Sequence, residues 1–167
     1  MPFSLRPNQF RAARRRLLVP ALLITLTLAV TACVPPPAES AAGGGNDVAN
    51  HVFLLINQDR AAQGLPALAW NNQLGSLAQG WAEQMARNGV LTHQDLDALQ
   101  RNPNMSAWRS LGENVVMGVS DAGGANNIWM NSAGHRANIL HDFTDVGVGA
   151  TRDANGILWV VADFGTR

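Results

Sequence analysis

The end of the chain is the feature that most restricts its fold. Val146, Val148 and Ala150 alternate with Gly147, Gly149 and Thr151; Asp153-Ala154-Asn155-Gly156 follows as a turn; Ile157 to Val161 is an unbroken apolar run. Two such segments joined by a short turn make a β-hairpin. A strand with no polar side must be covered on both faces. The glycines of its partner predict close approach by another element. The chain must therefore place helices on both faces of a sheet, a layered α/β/α arrangement.

Residues 47–142 supply the helices. Asp47 is expected to cap one that runs to about Gln63, with Val48, Val52, Leu55 and Ile56 on one face and Gly64 and Pro66 beyond its end. Asn71 or Asn72 caps a second, to about Asn88, in which Leu74, Leu77, Ala78, Trp81 and Met85 keep helical spacing and Gly89 supplies the stop. A short helix is expected at 95–101, a strand at Val115–Val119, a third long helix at about 122–131, and a last one capped by Ser132 and running through His141. The five tryptophans, Trp70, Trp81, Trp108, Trp129 and Trp159, are read as core packing.

The first 46 residues have a different character. Arg6, Arg11, Arg14, Arg15 and Arg16 precede any acid, and Leu17 to Ala32 is apolar. That run is shorter than the ~20 residues a spanning helix needs. A basic stretch, a short apolar run and small residues at its end read as a secretory signal peptide over 1–32. Val30-Thr31-Ala32-Cys33 resembles the bacterial lipobox, in which cleavage precedes the cysteine and its sulfur carries diacylglycerol. Cys33 is the chain's single cysteine. Arg14-Arg15 with Arg16, Leu17 and Leu18 resembles part of a twin-arginine signal, so the export route stays open. Residues 33–46 then form a lipidated cysteine and a Pro/Gly tether, which fully extended reaches roughly 40 Å. The expectation is an exported lipoprotein anchored in the bacterial cell envelope and facing away from the cytoplasm.

Composition removes several function classes. All 12 basic residues of the chain are arginines, so neither a phosphate-loop lysine nor a Schiff base is available. Beyond residue 32 there are 7 Arg against 12 acids, a net of −5. A mildly acidic domain with no basic patch is a poor partner for nucleic acid. One cysteine excludes an intrachain disulfide and a cysteine-clustered zinc site. No HExxH, GxSxG, GxGxxG or EF-hand loop is present. What remains is a set of separate segments with ionisable groups: Leu91-Thr92-His93, Gly112-Glu113-Asn114, and Trp129 to Leu140 with His135. Such groups converge in many catalytic and metal sites. From the residues alone, His93 also reads as a surface residue, and Glu113 as a carboxylate tying up N–H groups in a turn that Gly112 permits. Ser132 reads as an N-cap whose hydroxyl accepts the Gly134 or His135 amide. Asn138, one turn from His135, reads as orienting that ring or as a surface polar residue. His51 and His141 are expected in solvent.

In order along the chain, Leu55-Ile56-Asn57 with Arg60, Gly64-Leu65, the Ala82 to His93 stretch, Gly112-Glu113-Asn114, Trp129 to Leu140, Val146-Gly147-Val148-Gly149 and Phe164-Gly165 resemble the CAP superfamily. That superfamily comprises cysteine-rich secretory proteins, antigen 5 and pathogenesis-related protein 1, and this chain is most similar to the bacterial SCP-like extracellular branch. The resemblance covers about 47–167. It implies an α+β fold, a three-layered α/β/α sandwich around a central, mainly antiparallel sheet. It also implies a cavity built from two His and two Glu that holds a divalent metal in some members. Matched by motif, His93 and His135 stand for the histidines and Glu113 for one glutamate. Ser132 occupies the place of the other, so a zinc ion would rest on His93, Glu113 and His135 alone.

The resemblance leaves catalytic residues unassigned. It implies a binding module with no required cofactor, for lipid or other envelope components, since lipid and sterol binding occur in the family. A metal-assisted hydrolase of peptides or envelope polymers and a structural envelope protein are the alternatives.

Overall fold

The computed structural model describes residues 43–167; the expected signal peptide, Cys33 and the tether up to residue 42 lie outside the described residues. The elements are α1 (Gly43–Ala62), β1 (Ala69–Trp70), α2 (Asn72–Asn88), α3 (Leu96–Arg101), a 3₁₀ turn at Pro103–Met105, β2 (Ser110–Val119), α4 (Ala122–Asn131), α5 (Ala133–Leu140), β3 (Asp145–Arg152) and β4 (Leu158–Thr166). The sheet order is β1-β3-β4-β2. Only β1 runs parallel to its neighbour, β3; β3 with β4 and β2 with β4 are antiparallel. The expected mainly antiparallel sheet inside helical layers is the observed architecture.

Side-chain alternation on the strands sorts the core into two layers. Val146, Val148 and Ala150 of β3, with Val160, Ala162 and Phe164 of β4, pack with Val52 and Ile56 of α1, Trp129 of α4 and Ile139 of α5. Trp159 and Val161, which point the other way, pack with Val115 of β2 and Ala78, Ala82 and Met85 of α2. Every residue of β4 from Leu158 to Gly165 is buried, as its apolar sequence requires.

The glycines of β3 are explained by α2. A Cβ on Gly147 would lie 1.9 Å from the Gly75 nitrogen, and one on Gly149 would lie 2.2 Å from that of Gln79. The helix backbone therefore rests directly on the strand. On the opposite layer, Arg60 of α1 is fully enclosed. Its guanidinium donates to the carbonyls of Ile139 and His141 at 2.7 Å each, and to that of Pro66 at 2.9 Å. A buried cation is tolerated there because carbonyls at a helix C-terminus carry partial negative charge.

Four details differ from the sequence expectation. Helix α1 begins at Gly43, so Asp47 lies inside it and the last residues of the supposed tether are helical; Gly45 packs on the Ala150 carbonyl, where a Cβ would sit 2.7 Å from the oxygen. Contact with β3 thus overrides the poor helix propensity of the glycine run. Strand β2 starts at Ser110, because Glu113 and Asn114 pair with Asp163 and Ala162 of β4. Strand β1 was not anticipated; two residues carry no readable period. Trp70 is 37% exposed, while Trp108, Trp129 and Trp159 are buried and Trp81 is half-buried.

Gly147→Ala is expected to cost about 3 kcal/mol or more, since helix backbone cannot yield to the new methyl. Trp159→Ala is expected to cost about 3–5 kcal/mol. Gly80→Ala, whose Cβ would meet nothing within 4 Å, is expected to gain about 0.5–1 kcal/mol from helix propensity. Urea unfolding of the three variants checks the series.

Candidate functional site

Strand β2 forms one edge of the sheet, and the expected site is built around it from both layers. Its first component follows α2. Gly89 ends that helix in a left-handed conformation, and the chain then passes His93 and Gln94 beside β2. His93 Nδ1 lies 2.6 Å from Glu113 Oε1. The imidazole is 59% exposed and the carboxylate 1%, so the pair joins a solvent-facing ring to a buried acid.

Glu113 points to the α2 side of the sheet, in the same alternation as Val115. Its carboxylate accepts the backbone N–H of Gln94 at 3.1 Å, and its Oε2 accepts the Gln94 side-chain amide at 2.8 Å. The same amide donates to Asp163 of β4 at 3.0 Å. Two buried carboxyl groups from paired strand positions thus share one amide. Burial, and then the charge of Glu113, push the Asp163 carboxyl well above its ordinary range, against the opposing effect of Gln94. The idea that Glu113 ties up nearby N–H groups in a turn is corrected: it sits in a strand, and its donors lie 19 residues away. Gly112 has a packing role here, because a Cβ would meet the Phe143 ring at 2.7 Å.

The second component is α5. Asn138 donates to the Glu113 carbonyl and to Asn114 Oδ1, both at 2.9 Å, and Asn114 donates to the His135 carbonyl at 3.0 Å. Asn138 therefore stitches α5 to β2; it does not orient the His135 ring, whose Nδ1 is buried without a hydrogen-bond partner. The His135 pKa is lowered by burial first and by the proximity of His93 second. Ser132 takes the N-cap conformation of α5, but its hydroxyl makes no capping bond, contrary to expectation. His51 and His141 are exposed, as read from the sequence.

Among the described residues no group of three or more His, Cys, Asp or Glu is arranged to hold a metal ion. Glu113 is spent on Gln94 and His93, and Ser132 brings no carboxylate. As arranged, these donors do not fit a zinc ion. Gln94 and Asp163 were missed from the sequence. Asp163 did carry a signal, being an acid in line with a strand that is otherwise apolar and covered on both faces.

A model of the cysteine-rich secretory protein family, CAP, matches residues 53–164. An uncharacterized protein of Bacillus subtilis (strain 168), YkwD, is 31% identical over 110 residues, which is 63% of this chain and 42% of that protein. The crystal structure of an extracellular protein containing an SCP domain from Bacillus anthracis str. Ames is similar at a TM-score of 0.65 and 28% identity, over 77% of this chain and 45% of that one. An outer surface protein of Borrelia burgdorferi shares the fold at a TM-score of 0.64 and 19% identity, over 72% of this chain and 93% of that one. The chain spans less than half the length of the curated relatives it matches.

The two shifted groups set opposite pH slopes. Asp163 holds its proton to higher pH in the fold than in the unfolded chain, so its contribution is lost as pH rises above about 4. His135 stays neutral in the fold while the unfolded chain takes up a proton, so stability is lost as pH falls below about 6.5. Asp163→Asn, which keeps an acceptor for Gln94, is expected to melt above wild type at neutral pH, with the gap closing toward pH 4. His135→Gln is expected to flatten the loss between pH 6.5 and 5. Thermal melts across that range read both slopes.

Proposed function

We propose, from the premise that this chain belongs to the cysteine-rich secretory protein (CAP) family, that it is an exported, lipid-anchored binding module of the bacterial cell envelope and not an enzyme. The observation that carries this reading is the saturation of Glu113. The one carboxylate matched to the family cavity is enclosed and already bonded to Gln94 and His93. A general acid or base must reach the proton it transfers, and an activated nucleophile needs a base at hydrogen-bond distance. The buried Nδ1 of His135 has no partner, so it does not activate Ser132. What faces solvent is the His93 ring, with Val90 and Leu91, 56% and 44% exposed, just before it in the chain. A solvent-facing imidazole that follows two exposed apolar side chains in the chain suits an amphipathic ligand, a lipid or another envelope component.

A second reading has one observation in its favour. The 2.6 Å contact of His93 with Glu113 is the geometry by which a buried acid orients an imidazole as a general base. That reading is a hydrolase of peptides or envelope polymers working without a metal.

Export has support from the named likenesses to an extracellular protein and an outer surface protein. Among the described residues no helix is long and apolar enough to cross a membrane. We place attachment on Cys33, because two acyl chains are enough for stable anchoring where one is marginal.

Three measurements test these proposals. Mass spectrometry of small molecules that co-purify with the protein is expected to find a lipid or envelope component, depleted several-fold by Leu91→Asp or His93→Ala. Turnover of a peptide or envelope polymer that disappears in Glu113→Gln would transfer the assignment to the hydrolase. Intact-mass analysis of the membrane fraction is expected to show a mature form that starts at an acylated Cys33, and an uncleaved precursor in Cys33→Ser.

A further inference from the structure

A groove of about 680 Å³ lies between the first turns of α1, strand β1, Val148 of β3 and α2 as far as Glu83. None of His93, Glu113 and His135 lines it. Its volume falls within the ~300–1,000 Å³ typical of small-molecule sites, and its chemistry is distinctive. Asn46, Asn50, Asn72, Ser76 and Glu83 line it together with the exposed Trp70.

That indole is held in place. Its Nε1 donates to Asn72 Oδ1 at 2.9 Å. Phe53 meets it edge-on with ring centroids 5.5 Å apart. Gly75 leaves room beneath it, since a Cβ there would touch the ring at 3.1 Å. Glu83 is also fixed, its Oε1 accepting from the Gln79 amide at 2.9 Å. A rigid aromatic ring next to planar amides and a carboxylate loses little freedom on binding. Its π face attracts the weakly positive C–H face of a sugar ring, while amides and a carboxylate make paired hydrogen bonds to vicinal hydroxyls. No basic side chain lines the groove, so an anionic ligand finds no counter-charge.

An extended peptide added to the edge of β3 is the competing occupant, and the strand itself argues against it. The Val146 carbonyl already accepts the Asn71 N–H at 2.9 Å, and the Ala150 N–H already donates to Gln79 Oε1 at 3.0 Å. Gly45 lies against the Ala150 carbonyl. Only Val148 remains between these contacts, too short an edge for strand addition.

We infer that the groove beside Trp70 is a binding site for an uncharged saccharide, stacked on the indole and hydrogen-bonded by Asn50, Asn72, Ser76 and Glu83. The site is separate from the His93 reading and stands without it. The test uses the full chain in a detergent without a sugar headgroup. Calorimetry and tryptophan fluorescence follow titration with the soluble trisaccharides of glucose, mannose and N-acetylglucosamine, and with an extended decapeptide pool. At least one trisaccharide is expected to bind, and Trp70→Ala to weaken it tenfold or more. Gly80→Leu, which fills the groove from an uncrowded helix position, is expected to abolish binding with the melting temperature kept, so the test survives if Trp70→Ala fails to fold. His93→Ala is expected to leave saccharide binding unchanged, which separates this site from the one above. Absence of binding by all three sugars, or binding that survives Gly80→Leu, overturns the inference. Binding of peptides alone, lost in Gly80→Leu, overturns it in favour of a peptide groove.

Discussion

The contact between α2 and β3 sets the position of everything else. Because Gly147 and Gly149 have no side chains, the backbone of α2 lies on the strand at Gly75 and Gln79. That contact fixes where α2 ends, and so where His93 and Gln94 meet β2. It fixes where α2 begins, and so how Trp70 and Asn72 flank the groove. Interiors are packed as tightly as crystals, and here the tightness is between main chains. At those two glycines no side chain lies between helix and strand to absorb a shift, so the two sites at either end of α2 share one rigid support.

Around Glu113 and Asp163 the structure carries a tension that apolar packing would avoid. Two carboxyl groups on neighbouring strands share the amide of Gln94. Removal of like charges from water is costly unless one of them is neutral, and the raised Asp163 pKa expresses that cost. Stability has been given up at this point, where two apolar side chains could pair across the strands without that cost. The cost falls beside the exposed imidazole of His93, on the wall that a bound ligand would face.

The helices were legible because their signals are local. Asn71 caps and Gly89 stops α2 where the chain says they should, and the glycines of β3 announced a closely approaching element. Register across the sheet was not legible. That Glu113 sits opposite Asp163 follows from how β2 and β4 align, and no spacing along the chain encodes it. Hence Glu113 was read in a turn and Asp163 was overlooked, while His93 and Glu113, named from resemblance, do meet. The start of α1 was misread for a similar reason, since the glycines at 43–45 are helical through docking on Ala150, a contact 105 residues away from Gly45. Ser132 looked like a cap by residue type and stands in the cap position, yet its hydroxyl bond is missing.

The strand order has a consequence for how the protein is made. β4 is the last element of the domain in the chain and lies inside the sheet, between β3 and β2. Neither of those strands pairs with the other, so the sheet has no continuous form until β4 arrives. A nascent chain that has released helices α1 to α5 still lacks the strip that joins both core layers. Closure of the sheet therefore waits until β4 has been made. A strand order that puts the joining strip last thus works as a built-in timer, holding the two core layers apart until their domain is made.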